Sequence, residues 1–447
     1  MSSIARIKLH PKHFLEQEIT IKCWIKNNRD GKKIGFLAVS DGLSFDTLQI
    51  VYHHYLTNFD QIKKLSPGSA IVVFGKFKTA NEKEIIELQA IKIEIINATQ
   101  TDYFLQKKAH SPEFLRQKAE LRARSNLFQI IFRIRHSISL AIHNFFANEG
   151  FLYLHSPILT SNDCEGGGEN FQVSNSLDKE QLFFKKNANL TVSGQLHAES
   201  FAQSYQKVYT FGPTFRAEKS NTLSHSSEFW MIEPEIAFGN KAQGILLATK
   251  LVKHVIQKIY INHQKELQFL EKKHAINLTN KLKNIFQNDF IQITYTKSLE
   301  IINNFDKNVT SLIWGDDLKK EHELFLCQHF DNKPVFVTDY PKKIKAFYMK
   351  QNSDQKTVSC FDLLFPKVGE VLGGSEREND YQKIISALKE KKISSKGLEW
   401  YLNLRLQGYG GSTGFGLGLD RLLMFITEVN NIRDVIPFYR GYKSLEY

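Results

Sequence analysis

The stretch 208–238 carries charged side chains in a pattern that otherwise predicts two core strands. Two alternating apolar runs flank a polar loop at 219–227, which predicts a β-hairpin with a long loop. Thr214, Arg216 and Glu218 stand at every second position, so they are expected on one face of the first strand. An arginine there can bind phosphate or carboxylate, and a carboxylate can accept from an amino group.

The second strand of this hairpin places Phe229, Met231, Glu233 and Glu235 on one face. Buried carboxylates need partners or a polar ligand, whereas a solvated face would need only cross-strand ion pairs. The aromatic residues around these charges favour burial, and the ring of Phe229 can stack on a base. We therefore expect a flat, charged ligand here, with a solvated outer face as the alternative.

The composition is that of a globular protein with a polyanionic partner. The chain has 447 residues, 42% of them hydrophobic, and a net charge of +12. A generally basic proteome is the other explanation of this charge. The four cysteines lack metal-binding spacing, no apolar run reaches the length of a membrane span, and the N-terminus lacks a secretory apolar core. A cytoplasmic protein without membrane contact is therefore expected.

Residues 1–104 are predicted to form a small β-barrel. Five short alternating runs separated by tight turns are typical of an OB fold, which binds single-stranded nucleic acid by stacking bases on aromatic side chains. Phe36 and Gln49 are expected on neighbouring strands, and Arg29 at the preceding turn. The alternative for Phe36 is a place in the barrel core.

A basic hinge is predicted at 105–125, between the barrel and a second domain at 126–447. The segment 106–135 has eight cationic residues and two glutamates. The cations are Lys107, Lys108, Arg116, Lys118, Arg122, Arg124, Arg133 and Arg135. A solvated linker and contact with nucleic-acid phosphates explain them equally well.

The second domain begins with a predicted amphipathic helix at 127–146, which Gly150 ends. A polar segment at about 241–304 is predicted as a helical insertion. Its lysines indicate either a solvated face or contact with nucleic acid.

Two carboxylates on alternating strands, Asp362 and Glu370, suit Mg²⁺ beside nucleotide phosphates, because this ion keeps several waters and needs few protein ligands. A glycine-rich strand then leads into a helix near Leu419. Arg421 falls in its first turn, where the helix dipole disfavours a cation. That misfit indicates function, and a surface ion pair is the alternative for each residue.

Three motifs resemble those of the class II aminoacyl-tRNA synthetases, in the aspartyl, asparaginyl and lysyl subgroup. The helix at 127–146 with GFLYLHSPILT resembles motif 1, TFRAEKSNT…H…EFWMIEPE resembles motif 2, and GFGLGLDRLLMFIT resembles motif 3. The wording of motif 2 is most similar to the asparaginyl members. The resemblance covers nearly the whole chain. It implies an α+β protein in which the OB barrel is followed along the chain by a six- or seven-stranded antiparallel sheet with flanking helices. It also implies a homodimer formed through motif 1.

The resemblance also implies ATP-dependent activation of an amino acid and its transfer to tRNA, with Arg216, Glu218 and Arg421 as the catalytic residues. Arg216 would bridge the substrate carboxylate and the α-phosphate. For ATP, the resemblance implies adenine binding by Glu218, Phe229 and Arg421, β,γ-phosphate binding by His225 and Arg421, and Mg²⁺ binding by Asp362 and Glu370. For the amino acid, it implies ammonium binding by Glu165 and Gln195 and side-chain amide binding by Arg377. For the tRNA, it implies anticodon binding by Arg29, Phe36 and Gln49.

The expected substrate is asparagine, and the expected acceptor is tRNA-Asn. Aspartyl members have a lysine three residues after the glutamine that matches Gln195, and this chain has Ala198 there. Without that cation the site loses a counter-charge for aspartate. The alternatives are an aspartyl-tRNA synthetase, a paralogous adenylate-forming ligase that uses a non-tRNA amine, and a non-catalytic tRNA-binding protein.

Three positions depart from the wording of the resembled family. Ser224 replaces an arginine of the motif 2 loop, Ser412 stands where a histidine is usual before motif 3, and Asn403 replaces an aspartate. We expect these changes to alter the handling of ATP or tRNA.

Overall fold

The computed structural model describes residues 3–79, 86–100, 103–105, 110–161, 170–174, 183–305 and 311–446. The chain forms two compact units, Met1–Phe132 and Arg133–Tyr447. Each unit has its own clusters of buried apolar side chains. Within the described ranges, no helix is both long enough and apolar enough to span a membrane.

The first unit contains a closed five-stranded barrel with the strand order β1-β2-β3-β5-β4. Its strands are β1 (Glu18–Arg29), β2 (Ile34–Ser40), β3 (Leu48–His53), β4 (Ala70–Thr79) and β5 (Ile86–Asn97). The predicted OB-type barrel is confirmed. Its helices, apart from the start of α6, are α1 (Ile4–Leu9), α2 (Pro11–Phe14), α3 (Phe59–Lys63), α4 (Pro112–Arg116) and α5 (Ala119–Arg122). These helices were not predicted, because each is too short to show the repeat of apolar residues that marks a helix in a sequence.

Helix α6 (Asn126–Asn148) confirms the predicted amphipathic helix, and the whole predicted apolar stripe is buried. It ends just before Gly150, which has a left-handed φ of +78°. Two of the eight cations at 106–135 have structural roles instead. Arg122 is buried, with its guanidinium 4.6 Å from the centre of the Phe128 ring, and Arg135 forms an ion pair with Asp420.

The second unit is built on an eight-stranded sheet with the order β12-β13-β14-β15-β16-β11-β10-β6, beside a three-stranded sheet β7-β9-β8. Its strands are β6 (Leu152–Tyr153), β7 (Leu159–Thr160), β8 (Gln172–Val173), β9 (Ala188–Leu190), β10 (Lys207–Phe215), β11 (Glu228–Ala237), β12 (Ile291–Thr294), β13 (Val335–Thr338), β14 (Cys360–Phe365), β15 (Gly369–Glu376) and β16 (Ser412–Gly418). The six central strands are antiparallel, as predicted. The edge strands β6 and β12 are parallel to their neighbours, so the sheet is mixed and one strand larger than expected.

Helices flank this sheet, as the sequence predicted. They are α7 (Gln195–Tyr205), α8 (Lys241–Asn262), α9 (Gln264–His274), α10 (Leu278–Gln287), α11 (Tyr295–Phe305), α12 (Lys320–His329), α13 (Tyr381–Glu390), α14 (Glu399–Asn403) and α15 (Leu419–Thr427). The segment predicted as helical throughout contains the edge strand β12. Helix α8 packs closely on the sheet, because a Cβ at Gly244 would lie only 2.8 Å from atoms of Phe361 and Thr413.

Candidate active site

The predicted hairpin is formed by β10 and β11, but its first strand is shorter than expected. Strand β10 ends at Phe215, so Arg216 and Glu218 lie at the start of the loop and not on the strand. The N–H of Arg216 still donates to the carbonyl of Ser227 over 3.0 Å. The N–H of Ser227 donates to the carbonyl of Arg440 over 2.9 Å, and this hydrogen bond joins the end of the loop to the C-terminal segment.

The carboxylates of β11 are buried and paired, so the alternative of a solvated outer face is wrong. Glu233 accepts from the N–H of Gly194 over 2.8 Å and from the hydroxyl of Thr210 over 3.0 Å, and it also bonds the hydroxyl of Ser193. These bonds fix the turn that leads into α7. Glu233 therefore has a positioning role that the sequence did not indicate.

Glu235 is paired with Arg377, the residue predicted to bind the substrate side chain. The Nε of Arg377 donates to Oε1 of Glu235 over 3.1 Å, and its Nη1 donates to the hydroxyl of Ser375 over 2.7 Å. Burial raises the pKa of Glu235 to about 7, while Arg377 opposes this change and Glu199 adds to it. The pair thus places a donor and an acceptor together in a dry environment.

Gln195 occupies the first turn of α7 and donates to Oε1 of the buried Glu199 over 3.0 Å. Glu199 also accepts from Arg405 over 3.0 Å, from Tyr401 over 2.9 Å and from Tyr409 over 3.1 Å. This network holds the base of the site. Sequence reasoning placed both Gln195 and Glu199 on this helix but assigned a role to Gln195 alone, although Glu199 is the single carboxylate of α7.

Ala198 is fully buried and packs with Ala202, Val208 and Ala237. It does not line the cavity that holds Gln195 and Arg377. The position predicted to explain substrate choice is therefore behind the wall of the cavity.

Two adjoining cavities lie above these residues. The larger has a volume of about 460 Å³, and the smaller about 150 Å³. The larger is lined by Gln195, Arg377, Lys345, Asp362 and Tyr348 among others. The two cavities share Arg216, Met231, Glu370 and Gly416. Arg216 therefore lies where one cavity opens into the other.

The smaller cavity gathers four residues that were predicted to bind nucleotide. Glu218, His225, Phe229 and Arg421 all line it. The guanidinium carbon of Arg216 lies 5.4 Å from the centre of the Phe229 ring. Burial lowers the pKa of His225, Glu218 opposes this change, and Arg421 adds to it. His225 is therefore a neutral hydrogen-bonding group near pH 7.

The main chain of Glu370 is held from two sides. Its N–H donates to Oε2 of Glu323 on α12 over 2.9 Å, and its carbonyl accepts from Nη1 of Arg421 over 2.7 Å. Arg421 follows Asp420, which bonds Arg135 of α6 and accepts from the N–H of Trp230 over 3.3 Å. Three elements thus fix the first turn of α15. Glu323 was missed because nothing in its local pattern separates it from a surface charge.

The two carboxylates predicted to bind Mg²⁺ lie on either side of Gly373. A Cβ there would be 3.0 Å from Oε1 of Glu370 and 3.3 Å from Oδ1 of Asp362. The other oxygen of Asp362 bonds the ammonium of Lys345. Burial raises the pKa of Glu323 to about 7, and the neighbouring charges of Glu370 and Asp362 add to this effect. No cluster of three potential metal ligands occurs in the part of the chain that the structure describes. Two carboxylates that lie close together and near Glu323 nevertheless fit one hydrated Mg²⁺.

The predicted anticodon-binding residues meet on the outside of the barrel. The Nη2 of Arg29 donates to Oε1 of Gln49 over 3.3 Å, and the guanidinium carbon of Arg29 lies 5.6 Å from the centre of the Phe36 ring. Gln49 also donates to Glu87 over 2.9 Å. Phe36 is half-buried, whereas the next residue of the strand, Leu37, is fully buried. Phe36 is therefore not a barrel-core residue. Arg29 lies at the end of β1 and not in a turn.

The remaining predicted site positions are dispersed. Glu165 lies outside the described residues. Ser224 lines the smaller cavity. Ser412 is fully buried, bonds the hydroxyl of Tyr409 over 2.9 Å and bonds Glu235. The serine that replaces the usual histidine therefore contacts the ion pair of Glu235 and Arg377. Asn403 is exposed at the end of α14, and nothing in the structure explains this departure.

A mixed, mostly antiparallel sheet that follows an OB barrel in the chain, with an arginine that lines two polar cavities, defines a class II aminoacyl-tRNA synthetase. The chain belongs to the family described as tRNA synthetases class II (D, K and N), whose model matches residues 111–441. A second model, an OB-fold nucleic acid binding domain, matches residues 19–96.

Individual relatives are similar over almost their full length. The asparagine–tRNA ligase of Mycoplasma capricolum is 48% identical, with 96% of this chain and 97% of the relative covered. The asparagine–tRNA ligase of Clostridium tetani is 44% identical, with 100% and 99% covered. The crystal structure of asparaginyl-tRNA synthetase from Pyrococcus horikoshii complexed with asparaginyl-adenylate superposes with a TM-score of 0.90 at 30% identity, covering 99% of both chains.

Proposed function

We propose that this chain activates asparagine with ATP and transfers the asparaginyl group to tRNA-Asn. The observation that carries this function is the position of Arg216, which lines both the cavity with Glu218, Phe229 and Arg421 and the cavity with Arg377. A cation at that junction can hold an amino-acid carboxylate and an α-phosphate together. The expected intermediate is asparaginyl-adenylate, as in the complex of the archaeal relative.

Arg216 binds the two reacting groups and offsets the charge that develops between them. The substrate carboxylate attacks the α-phosphorus in line, and pyrophosphate leaves on the opposite side. No protein nucleophile is needed, because positioning and charge neutralisation lower the barrier. The ribose hydroxyl at the 3′ end of the tRNA then attacks the adenylate carbonyl, and AMP leaves.

The smaller cavity orients the nucleotide. Glu218 accepts from the amino group of adenine, and Phe229 and Arg421 pack against the two faces of the ring. Neutral His225 and charged Arg421 address the β- and γ-phosphates. The bonds between Arg421 and the main chain of Glu370 keep this arginine in place before ATP binds.

The larger cavity orients asparagine. Gln195, together with Glu165 outside the described residues, binds the ammonium group. Arg377 donates to the amide oxygen of the substrate, and Glu235 fixes the direction of its guanidinium. A neutral amide suits this pair, because it adds no net charge to a buried and already balanced site.

Asp362 and Glu370 would hold Mg²⁺. When bound, this ion would supply positive charge that offsets the charge of the phosphates. Burial raises the pKa of Asp362 to about 6, and Lys345 opposes this change because its ammonium is bonded to that carboxylate.

On the barrel, Phe36 stacks on an anticodon base, and Gln49 bonds the central uridine while Arg29 holds the Gln49 amide. We also propose a homodimer formed through α6 and β6. Strand β6 is at the edge of the sheet, and Leu140, Leu152 and Tyr153 expose apolar surface there. We further propose that this reaction takes place in the cytoplasm.

Aminoacylation of purified tRNA with labelled asparagine and aspartate, measured side by side, tests the function. We expect asparagine to be charged onto tRNA-Asn alone. Charging of aspartate would indicate an aspartyl enzyme. Asparagine-dependent pyrophosphate exchange without any tRNA charging would indicate a ligase for another amine.

A further inference from the structure

Lys320 is the first residue of α12, the helix that packs against β14 and β15. The Cγ of Lys320 would lie 3.7 Å from a Cβ on Gly369. Its stem therefore runs along the residue that precedes Glu370, whose side chain lines both cavities. The sequence motifs assign this lysine no role.

A neighbouring residue of α12 bonds the same part of β15 that the stem of Lys320 approaches. Glu323 lies three residues further along α12 and thus on the same face. It accepts from the N–H of Glu370, whose carbonyl accepts from Arg421. Lys320 and Arg421 are thereby brought to the same short segment of β15.

The charges of this group act on one another. Burial lowers the pKa of Lys320, repulsion from Arg421 lowers it further, and Glu323 opposes both. Burial is the main cause that lowers the pKa of His225, and Glu218 raises it. Arg421 and Lys320 lower the pKa of His225 further. Cations that repel one another around a polar cavity are stabilised when an anion binds between them.

The loop between β10 and β11 has an uncharged residue, Ser224, in the lining of the smaller cavity. We propose that Lys320 binds the β- and γ-phosphates of ATP together with Arg421 and His225, and supplies a cation that the Ser224 loop lacks. This inference rests on the proposed function and adds one substrate-binding residue to it.

Binding of ATP and of AMP to the full chain, measured by calorimetry with Mg²⁺ and without asparagine, tests the assignment. AMP lacks the two phosphates that Lys320 would bind. We expect Lys320→Gln to weaken ATP binding about tenfold, which is the low end for a charge-assisted hydrogen bond because the lysine is exposed to solvent. AMP binding should stay unchanged, and KM for ATP should rise more than kcat falls.

Lys319→Gln is the matched control, since it removes a neighbouring exposed lysine. It should leave both affinities within about twofold of the parent chain. An unchanged ATP affinity in Lys320→Gln, an equal loss for AMP, or the same loss in Lys319→Gln would each overturn the proposal.

Ser224→Arg gives an independent measure. In the Lys320→Gln chain it should restore most of the lost ATP affinity, whereas in the parent chain it should change that affinity little. The same factor in both backgrounds would mean that the two positions do not serve the same phosphates, against the proposal. These binding measurements need neither asparagine nor tRNA, so they remain informative if the parent chain fails to charge tRNA-Asn and the proposed function falls.

Discussion

The guanidinium of Arg377 and the carboxylate of Glu235 form an ion pair that is closed to solvent, with Arg377 Nε 3.1 Å from Glu235 Oε1. Both groups are on central strands or directly after one, so neither can move away when substrate binds. A substrate with an extra negative charge would compete with Glu235 for Arg377. A neutral amide leaves the pair intact.

We therefore expect the chain to activate asparagine at least about a hundredfold better than aspartate, because a site of buried polar groups rejects a mismatched partner strongly. Pyrophosphate exchange with each amino acid measures this ratio as kcat/KM. Glu235→Gln should lower the ratio by weakening activation of asparagine, while the KM for ATP stays near its parent value. Equal rates for the two amino acids would contradict the role of the pair.

Arg216→Ala should slow adenylate formation by roughly 10²–10³, since one preorganised donor to the developing charge is lost. Lys219→Ala removes a charge from the same loop and serves as the control, because Lys219 lines neither cavity. Single-turnover formation of the adenylate is the measurement. A rate within tenfold of the parent chain would remove Arg216 from the reacting centre.

Phe36→Ala should weaken tRNA charging and leave tRNA-free pyrophosphate exchange unchanged. A stacked base contributes roughly 1–3 kcal/mol to binding, so KM for tRNA should rise about five- to a hundredfold. Trp24→Ala is the control, because Trp24 is another exposed aromatic residue of the barrel. If both variants lose tRNA affinity equally, the barrel has been destabilised and Phe36 has no special contact.

The pH dependence of stability should reflect Glu323. Its pKa is raised from an ordinary value of 4.5 to about 7, so the folded chain holds this proton more tightly than the unfolded chain does. This contribution to the free energy of unfolding is present below pH 4.5 and is lost as the pH rises toward about 7.

The drop in melting temperature between pH 5 and pH 8 should consequently be smaller in Glu323→Gln, which keeps an acceptor for the N–H of Glu370 but cannot ionise. Glu321→Gln, on the exposed side of α12, should show the same drop as the parent chain. Thermal melts of the three chains at both pH values provide the comparison. An identical drop in all three would show that Glu323 does not carry a raised pKa.

Periodicity in the sequence determined the OB barrel, helix α6 and the antiparallel centre of the large sheet, because each buries an apolar face that repeats along the chain. The charges of the hairpin stood out for the same reason, since they interrupt such a face. The sequence also indicated Arg216, Arg377 and Arg421 through their motifs, and the structure places all three in or beside adjoining cavities.

Only the tertiary structure decided the partners of those residues. Glu235 lies 142 positions from Arg377 in the chain, and Glu199 lies 206 positions from Arg405. No local period records such distances. The same applies to Glu323 and Lys320, which look like surface charges on a short helix until α12 packs beside β15. A motif can therefore name the group that touches a ligand, whereas the surroundings that orient it and set its charge arise from packing between distant elements.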